Sequence, residues 1–389
     1  MKTAFSTTRL KNSLRTILSP LLPLLRAVRT LPARKSAERI AAHLQSDHET
    51  SICYLTSQFP ARPALRTEIS QGGAVKLTFL AETFPHSYPK ASILYAVSSV
   101  DHVAKAEIVR KAKLNGLKFI LNQNGVAYFA WHGPGWEEPN RKMRTVYEQA
   151  DFIIFQSQFC QESATKFLGP PKTQSQVIYN PVDTSLYQPV KKQTGNRGPI
   201  LLLGGNQYEQ YRFETAIQTL KQVLVHLPDA QLLVTGKLWG EDQLAAMDIA
   251  RRAMHELGVE DRVEFTGSYS QQSAPGIFQR ADILLHTKYN DPSPNLIAEA
   301  LASGLPVVYS ASGGVPELVN ATSGIGIPVE PSWERIIPPD SWKMAEAIEQ
   351  VWEKRSQYAE AARQCALENL SLDVYTQKHR KIFASLLEQ

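Results

Sequence analysis

The chain has 389 residues, of which 43% are hydrophobic, 20% charged and 9% aromatic. This length fits two or three domains, and the apolar fraction is large enough to form a core in each. The composition excludes collagen, a coiled coil and an intrinsically disordered chain. Cys53, Cys160 and Cys365 are widely spaced and odd in number, so they predict neither a disulfide framework nor a structural zinc site. This cysteine usage favours a reducing, cytoplasmic location.

The net charge of +5 comes from the amino-terminal end of the chain. Residues 1–46 contain nine Lys and Arg residues and one acidic residue, a charge of +8, which leaves −3 for the other residues. The apolar run of this arm is interrupted by Pro20, Pro23 and Arg26, so it predicts neither a membrane-spanning helix nor a signal peptide. Such an arm is suited to the surface of an anionic membrane. The alternative is an extension that is poorly ordered or docks on the core.

From Ser51 onward, short apolar runs alternate with polar stretches of helical pattern, as in sheets of parallel strands. The first series predicts strands at residues 52–55, 75–80, 93–97, 119–121 and 152–155. The second series predicts strands at residues 200–203, 232–234, 263–265, 283–285 and 307–309. Two such series predict an α/β protein with two doubly wound, Rossmann-like domains.

Turn and linker residues separate the two series. We therefore expect a basic arm over residues 1–50, a first domain over 51–187 and a second domain over 188–372, with a hinge within 184–198. A helix over residues 373–389 is expected to cross back to the first domain.

Residues 282–306 predict a strand, a loop, a helix and the start of another strand. Ser293 is expected to cap a helix whose first residue is Pro294, and Gly304 is expected to end that helix in a left-handed conformation. A helix that starts beyond the carboxyl end of a parallel strand presents unpaired N–H groups, which bind phosphate. Glu299 lies about one and a half turns into this helix and is placed to accept hydrogen bonds from ribose hydroxyls.

This stretch resembles the family-four glycosyltransferases, which are retaining enzymes of the GT-B fold with nucleotide-sugar donors. The resemblance covers roughly residues 51–389 and depends on Asp291, seven intervening residues, Glu299 and the runs Ala-Leu-Ala-Ser-Gly-Leu-Pro-Val-Val at 300–308 and Ser-Gly-Gly-Val-Pro-Glu at 312–317. Asn-Pro-Val-Asp at 180–183 and Gly267 support it. It implies a UDP- or GDP-linked sugar as the donor, no permanently bound cofactor, and a glycan or lipid-linked hydroxyl acceptor in polysaccharide or glycolipid synthesis.

The resemblance also implies roles for single residues. Asp291 takes the place of a glutamate near the donor sugar, and Glu299 that of the carboxylate that holds ribose. Arg212 is expected to bind the diphosphate, because it stands close to the position of a family lysine, whereas Asn206 stands where the family has an arginine. A solvated arginine at a helix start is the alternative for Arg212.

The other expected donor-site residues surround these positions. Lys237 and Lys288 lie in loops after neighbouring strands, and each is a candidate for a second positive charge or a surface lysine. The expected nucleotide site is completed by Gly205, Ser293, Pro294 and Asn295. Pro292-Ser293-Pro294 replaces the Gly-Phe-Gly of the family, which predicts a stiffer phosphate loop.

In the first domain, Asn124 stands where the family often has a histidine near the donor sugar. An amide forms hydrogen bonds with hydroxyls but is no general base, and His132 is the second candidate for that place. The loop from Trp131 to Glu138 combines aromatic and acidic residues, which suits an acceptor sugar. The alternative is a loop that packs against its own domain.

For a retaining enzyme, the resemblance implies that the diphosphate oxygen acts as the base and that no divalent metal is needed. We also consider a GT-B epimerase or phosphorylase, and a non-catalytic nucleotide-sugar or glycan-binding protein, which the departures at Asn206, Asp291 and Asn124 favour. A dehydrogenase is disfavoured, because Gly204-Gly205 lacks the further glycines of a dinucleotide-binding loop. Nucleic acid is not an expected partner. The expected location is the cytoplasm, with residues 1–46 as a peripheral membrane contact.

Overall fold

The computed structural model describes residues 31–32, 34–36, 38–47, 49–65, 73–190 and 197–388. Within these ranges the chain forms one sheet of five strands and one sheet of six, and every strand pair is parallel. Residues 1–30 of the predicted arm and residues 191–196 of the predicted hinge lie outside the described residues.

The first sheet has the strand order β1-β2-β3-β4-β5. Its strands are β1 (Ile52–Leu55), β2 (Ile93–Val97), β3 (Lys118–Gln123), β4 (Phe152–Phe155) and β5 (Gln174–Val177). Its helices are α1 (Ala74–Thr83), α2 (Lys105–Leu114), α3 (Phe129–His132), α4 (Glu137–Tyr147) and α5 (Gln158–Phe167). The predicted strand at residues 75–80 is wrong, because these residues lie in α1.

The second sheet has the order β11-β10-β9-β6-β7-β8. Its strands are β6 (Ile200–Leu203), β7 (Gln231–Thr235), β8 (Val263–Gly267), β9 (Ile283–His286), β10 (Val307–Ala311) and β11 (Gly324–Pro328). The helices are α6 (Gln210–His226), α7 (Gln243–Leu257), α8 (Ala274–Arg280), α9 (Asn295–Ala302), α10 (Val315–Leu318), α11 (Ser341–Glu353) and α12 (Arg355–Asn369), with a 3₁₀ turn at Glu260–Arg262. Here all five predicted strands are confirmed.

Successive residues of a strand point to opposite faces of the sheet, and the buried strands are apolar on both faces. Helices therefore cover both faces of each sheet. In the second domain, one face packs against α6, α7 and α11, and the other against α8, α9, α10 and α12. In the first domain, α2, α4 and α5 cover one face. Helix α1 covers the other face together with a last helix, α13 (Leu372–Leu387).

Helix α13 therefore returns the end of the chain to the first domain. Tyr375, Ile382, Phe383 and Leu386 are buried among residues of β1, β2, β3 and β4. The Phe383 ring packs 5.0 Å from the ring of Phe84, centroid to centroid.

The described residues of the segment before β1 pack on the first domain. Residues 38–41 are helical, and Ala41 and Leu44 are buried in its core. Gln45 forms a parallel bridge with Lys90. The boundary predicted at residue 50 is therefore too late, since the first domain already includes residues near 40. None of the described helices is long and apolar enough to cross a membrane.

Candidate functional site

The strand order of the second sheet reverses between β6 and β9, since the chain runs outward from β6 to β7 and β8 and then returns to β9. Loops that leave the carboxyl ends of two such strands diverge and open a crevice, which is where open α/β sheets bind ligands. The loop after β6 contains Gly205 and Asn206, and the loop after β9 contains Lys288 and Asp291. The first domain lies across this crevice.

Asp291 is the centre of a buried charged cluster at the crevice. Its Oδ2 lies 3.3 Å from Lys288 Nζ and 3.5 Å from His286 Nε2, and the Asp291 residue is 8% exposed. Burial alone would raise the pKa of this carboxyl, but Lys288, His286 and Arg212 together outweigh burial and lower it well below its usual value. Asp291 is therefore ionised at neutral pH.

The backbone around Asp291 is held in an unusual conformation. Asn290 has a left-handed φ of 51°, its N–H donates to Ser312 Oγ at 2.8 Å, and its amide group donates to the Ser332 carbonyl at 3.0 Å. Gly313 packs so closely that a Cβ there would lie 2.4 Å from the Asp291 carbonyl oxygen. A residue other than glycine at 313 would displace the loop. A Cβ on Gly314 would likewise lie too close to the Pro292 carbonyl oxygen, so both glycines of residues 312–317 are needed for this packing.

Arg212, the third residue of α6, is buried at the same crevice and is 4% exposed. Its Nη1 donates to the Asn206 carbonyl at 2.6 Å, whereas its Nε is buried without a hydrogen-bond partner. An unsatisfied guanidinium N–H is costly in the unliganded protein and is available to an anion. The predicted cations Arg212 and Lys288 thus both lie beside Asp291.

Asn206 and Lys237 do not join this cluster. The Asn206 side chain accepts from the Lys237 backbone N–H at 2.9 Å and donates to the Tyr208 hydroxyl, so it braces two loops. The Lys237 side chain is exposed. Gly205 has a φ of 77° and its N–H donates to Thr235 Oγ1 at 2.9 Å, which leaves the loop after β6 tightly closed.

Helix α9 begins one residue later than predicted. Asn295 is its first residue, Pro294 takes the N-cap position, and no side chain caps the helix. Ser293 Oγ is buried without a hydrogen-bond partner, so the predicted Ser293 cap is wrong. The reason is that Pro294 has ψ of 123°, which places the turn into the helix after it. Gly304 has a φ of 70° after the helix end, as predicted.

Glu299 borders a cavity of about 390 Å³ next to the linker between the domains. Tyr187 and Asn295 line the same cavity. Burial raises the pKa of Glu299 to about 7, and a hydrogen bond with the Tyr187 hydroxyl opposes part of this shift. Glu299 is half-buried, and its carboxylate accepts the hydrogen bond from Tyr187.

The first domain brings Asn124 to the opposite wall of the crevice. Asn124 follows β3, its N–H donates to Ser98 Oγ at 2.9 Å, and its Nδ2 donates to Ser99 Oγ at 2.6 Å. A Cβ on the next residue, Gly125, would lie 3.3 Å from Pro292 Cγ, so this wall faces the residue after Asp291.

His132 ends α3, and its side chain is exposed. From the same loop it is Trp131 that meets the second domain, because Lys288 Nζ lies 5.4 Å from the centroid of its ring. Trp131 is nevertheless 52% exposed, which leaves one side of the indole open to solvent.

Direct hydrogen bonds close the crevice at its base. Ser157 Oγ donates to the Pro292 carbonyl at 2.7 Å, and the Glu317 carboxylate accepts from the backbone N–H groups of Gln158 and Phe159 at 2.6 and 2.9 Å. Asn180 in the linker donates to the Ser293 carbonyl and to Asn295 Oδ1, both at 3.0 Å.

Sequence reasoning missed several residues of this site. His286 ends a buried apolar strand, where the expected role is packing. Trp333 inserts from the second domain among Tyr128, Phe159 and Phe167 of the first, in a segment that has no regular pattern. Lys76 was hidden in the residues predicted as a strand. Gly73, just before α1, was the available signal, because a Cβ there would lie 3.3 Å from Asn124 Nδ2.

Among the described residues, no group of three His, Cys, Asp or Glu side chains converges as a metal site would require. Residues 198–354 match the family described as glycosyl transferases group 1. The second domain is therefore similar to a glycosyl transferases group 1 domain. Asp291, Glu299 and Arg212 all lie within the matched residues.

Curated relatives match part of the chain. The D-inositol 3-phosphate glycosyltransferase of Mycolicibacterium smegmatis is 27% identical over 197 residues, which cover 48% of this chain and 44% of that protein. The mannosylfructose-phosphate synthase of Agrobacterium fabrum is 26% identical over 137 residues, 35% of this chain and 30% of that protein. The chain thus spans less than half of the length of either relative.

Solved structures share the whole two-domain arrangement. Anabaena Alr3699/HepE in complex with UDP and glucose superposes with a TM-score of 0.62 at 16% identity, covering 87% of this chain and all of that one. Sucrose-phosphate synthase from Thermosynechococcus elongatus superposes with a TM-score of 0.61 at 16% identity, covering 81% and 78%. The second domain is therefore the second half of a GT-B fold, which confirms the predicted fold class.

Proposed function

We propose that the protein is a retaining glycosyltransferase that moves a sugar from a nucleotide-diphosphate sugar to a hydroxyl acceptor. The observation that carries this proposal is the buried cluster of Asp291, Lys288 and Arg212 at the switch point of a domain similar to glycosyl transferases group 1. A carboxylate beside two cations suits the two ends of one ligand, a sugar hydroxyl and a diphosphate.

In the proposed reaction, the acceptor oxygen attacks the anomeric carbon from the face that the diphosphate leaves. The bond between that carbon and the phosphate oxygen breaks, and the acceptor proton passes to the departing phosphate oxygen. The protein contributes orientation and charge stabilisation rather than a covalent step. Arg212, with its unpartnered Nε, and the uncapped start of α9 at Asn295 are the groups for the diphosphate.

Asp291 and Asn124 are the proposed contacts of the donor sugar, because the residues that follow them, Pro292 and Gly125, meet across the crevice. Glu299 is proposed to bind the ribose hydroxyls in the cavity beside Tyr187. The bound ribose would then replace the hydrogen bond that Glu299 now shares with Tyr187. In the unliganded protein this tyrosine limits the cost of burying the carboxylate.

The acceptor is proposed to bind at the crevice mouth beside Trp131. The half-exposed indole of Trp131 offers a flat apolar face for a sugar ring. Lys288, which pairs with Asp291, contacts the same indole. We propose a glycan or a lipid-linked sugar as the acceptor at this site, without a role for the side chain of His132.

We also propose that the donor nucleotide is UDP or GDP and that the reaction needs no divalent metal. A screen of UDP-, GDP-, ADP- and dTDP-sugars in EDTA tests them, with melting temperature and diphosphate release as readouts. We expect one nucleotide family to raise the melting temperature and to release its diphosphate slowly. The Asp291→Asn variant should bind the nucleotide but lose most of the release. Release that requires added Mg²⁺ would overturn metal independence.

A non-catalytic binding protein is the second candidate. It is favoured because two key side chains already have partners within the protein. Asp291 is already paired with Lys288, and Arg212 already donates to the Asn206 carbonyl. This hypothesis predicts the same rise in melting temperature without diphosphate release under any acceptor mixture.

We further propose that residues 1–46 bring the enzyme to an anionic membrane. Deletion of residues 1–30 tests this, because it spares the buried Ala41 and Leu44. The shortened protein should lose sedimentation with vesicles that contain 30% phosphatidylserine and keep its release of diphosphate. Unchanged sedimentation would overturn the membrane contact.

A further inference from the structure

Lys76, in the first turn of α1, is a buried lysine that has no acidic partner among the described residues. The residue is 4% exposed, and none of the ion pairs among the described residues includes it. Its Nζ lies 3.4 Å from Asn122 Oδ1 and 3.5 Å from Asn124 Oδ1. Neutral amide oxygens offset only part of the cost of burying an ammonium group, so the part of the chain that the structure describes supplies no compensating anion.

The Asn124 amide is oriented by this lysine and by Gln156. Gln156 Nε2 donates to Asn124 Oδ1, and also to Asn122 Oδ1 at 3.1 Å. The Asn124 oxygen thus faces two inward donors, and its Nδ2 turns the other way, toward Ser99 Oγ. Because an amide has only these two ends, the end left for the crevice is Nδ2, which keeps one N–H beyond its bond to Ser99 Oγ and offers no acceptor.

The position of this cluster connects it to the donor site of the second domain. A Cβ on Gly73 would lie 3.3 Å from Asn124 Nδ2, and Gly125 meets Pro292 across the crevice. Gln156 Oε1 accepts from Asn180 Nδ2 at 3.2 Å, and Asn180 in turn contacts Asn295 at the start of α9. Lys76 therefore lies beneath the wall that faces the proposed diphosphate.

We propose that Lys76 is a positioning residue for the donor: it holds the Asn124 amide with Nδ2 toward the crevice, and its unpaired charge is balanced by the bound diphosphate. This inference is based on the proposed function, and it adds a cation from the first domain to those of the second. Asn206, at a position where the resemblance implies an arginine, leaves room for such a charge.

The ionisable groups that face Lys76 are neutral near pH 7. Burial raises the pKa of the Cys160 thiol in α5 to about 11 and lowers the pKa of His379 in α13 to about 4. Tyr95 in β2, which contacts Asn122 and His379, also has a raised pKa because of burial. Burial lowers the pKa of Lys76 itself to about 7, so Lys76 is the group of this cluster that titrates near neutrality.

The test compares Lys76→Met with Lys113→Met. Lys113 is the matched control, because its Nζ pairs with Asp151 at 2.7 Å at the other end of the same sheet. Lys76→Met should raise the melting temperature, weaken UDP or GDP binding at least tenfold and leave nucleoside binding unchanged. Lys113→Met should lower the melting temperature and leave nucleotide binding unchanged. The ratio of wild-type to Lys76→Met affinity should fall as the pH rises through about 7.

A second variant keeps the inference testable if Lys76→Met fails to fold. Asn124→Asp places a carboxylate beside Lys76, so it should raise the melting temperature and weaken UDP or GDP binding at least tenfold. Nucleotide affinity unchanged in both variants would overturn the role of Lys76 and leave the proposed function standing. A wild-type protein that binds neither nucleotide would overturn the proposed function. In that case inorganic pyrophosphate is the probe. If it raises the melting temperature of the wild-type protein but not of Lys76→Met, the anion site at Lys76 is retained. If it does not raise the melting temperature of the wild-type protein, the anion site is overturned as well.

Discussion

Glu317 in α10 accepts a hydrogen bond of 2.6 Å from the backbone N–H of Gln158, the first residue of α5. The carboxylate of the second domain thus caps a helix of the first, where the helix dipole favours a negative charge. A second bond, from the Phe159 N–H at 2.9 Å, completes the cap. This contact lies beside the Ser157 to Pro292 hydrogen bond, so it fixes how the Asp291 loop meets the first domain.

Glu317→Gln should weaken this contact and open the crevice. Because the change removes a charged acceptor at a helix start, worth about 1.5–3 kcal/mol, we expect a radius of gyration larger than wild type and a diphosphate release about tenfold slower. Small-angle scattering and a release assay measure these effects. Glu346→Gln, on the exposed face of α11, is the control and should change neither. An unchanged radius and rate in Glu317→Gln would refute the role of the cap.

Arg212→Ala and Glu299→Ala should each reduce turnover about 100-fold, since each removes a charged contact worth roughly 3 kcal/mol. Arg212→Ala should act mainly on the catalytic rate constant, because charge on the diphosphate grows in the transition state. Glu299→Ala should act mainly on KM for the donor. Steady-state kinetics separates the two effects. Arg251→Ala, on the exposed side of α7, should match wild type. Wild-type kinetics in both site variants would rule out the site.

The sequence predicted the second domain better than the first. The β–α alternation of β6 to β10 could be predicted because four of these strands, all except β8, are short runs of mostly buried apolar residues. The run at 75–80 misled because Val75, Leu77 and Phe79 alternate with Lys76 and Thr78, the pattern of a half-buried strand. In the structure, Lys76 and Thr78 are buried as well, so tertiary contacts override the pattern. The missed β5 is polar, and β11 contains two glycines.

The sequence predicted the site residues that belong to local motifs. It did not predict those whose position depends on contacts with the other domain. Asp291 and Arg212 come together because the loop after β9 and the helix after β6 follow adjacent strands. Nothing local indicates that Ser293 would turn away from the helix start, or that Trp333 would enter an aromatic cluster in the other domain. Lys76 and Asn124 are 48 residues apart, and their contact exists only in the folded sheet.

Lys288→Met should change the acid limb of the pH profile. Lys288 is the strongest of the groups that lower the pKa of Asp291, so its removal should raise that pKa. A depressed carboxyl pKa contributes stability that is present above the unfolded value and is lost as the pH falls through the folded value. The variant should therefore lose activity and stability at a higher pH than wild type, as the pH is lowered. Activity and melting temperature between pH 3 and 7 measure this. Lys237→Met, an exposed lysine, should keep the wild-type profile.

Trp131→Ala should raise KM for the acceptor about tenfold, because a stacked sugar contributes on the order of 1–2 kcal/mol. Donor hydrolysis without acceptor should change little. Trp342→Ala is the matched control, since Trp342 is 62% exposed on α11 and lies outside the crevice. An acceptor KM that moves equally in both variants, or in neither, would remove Trp131 from the acceptor site.

Phe383→Ala should reduce the free energy of unfolding by about 3–5 kcal/mol, because it leaves a cavity between α13 and the first sheet. Phe383 is 1% exposed and contacts Phe84 and Tyr95. Urea unfolding measures the change. Val225→Ala, on an exposed face of α6, should stay within about 0.5 kcal/mol of wild type. A small effect of Phe383→Ala would mean that α13 is not an integral part of the first domain.

The most direct measurement is proton NMR of a nucleotide sugar incubated with the wild-type protein in EDTA. We expect slow release of the nucleoside diphosphate, faster release when an acceptor is added, and a product sugar that first appears with the anomeric configuration of the donor. Release with the opposite configuration would contradict the retaining chemistry. A donor that stays intact with every nucleotide family would contradict the assignment of Asp291 and Arg212 to a transferase site.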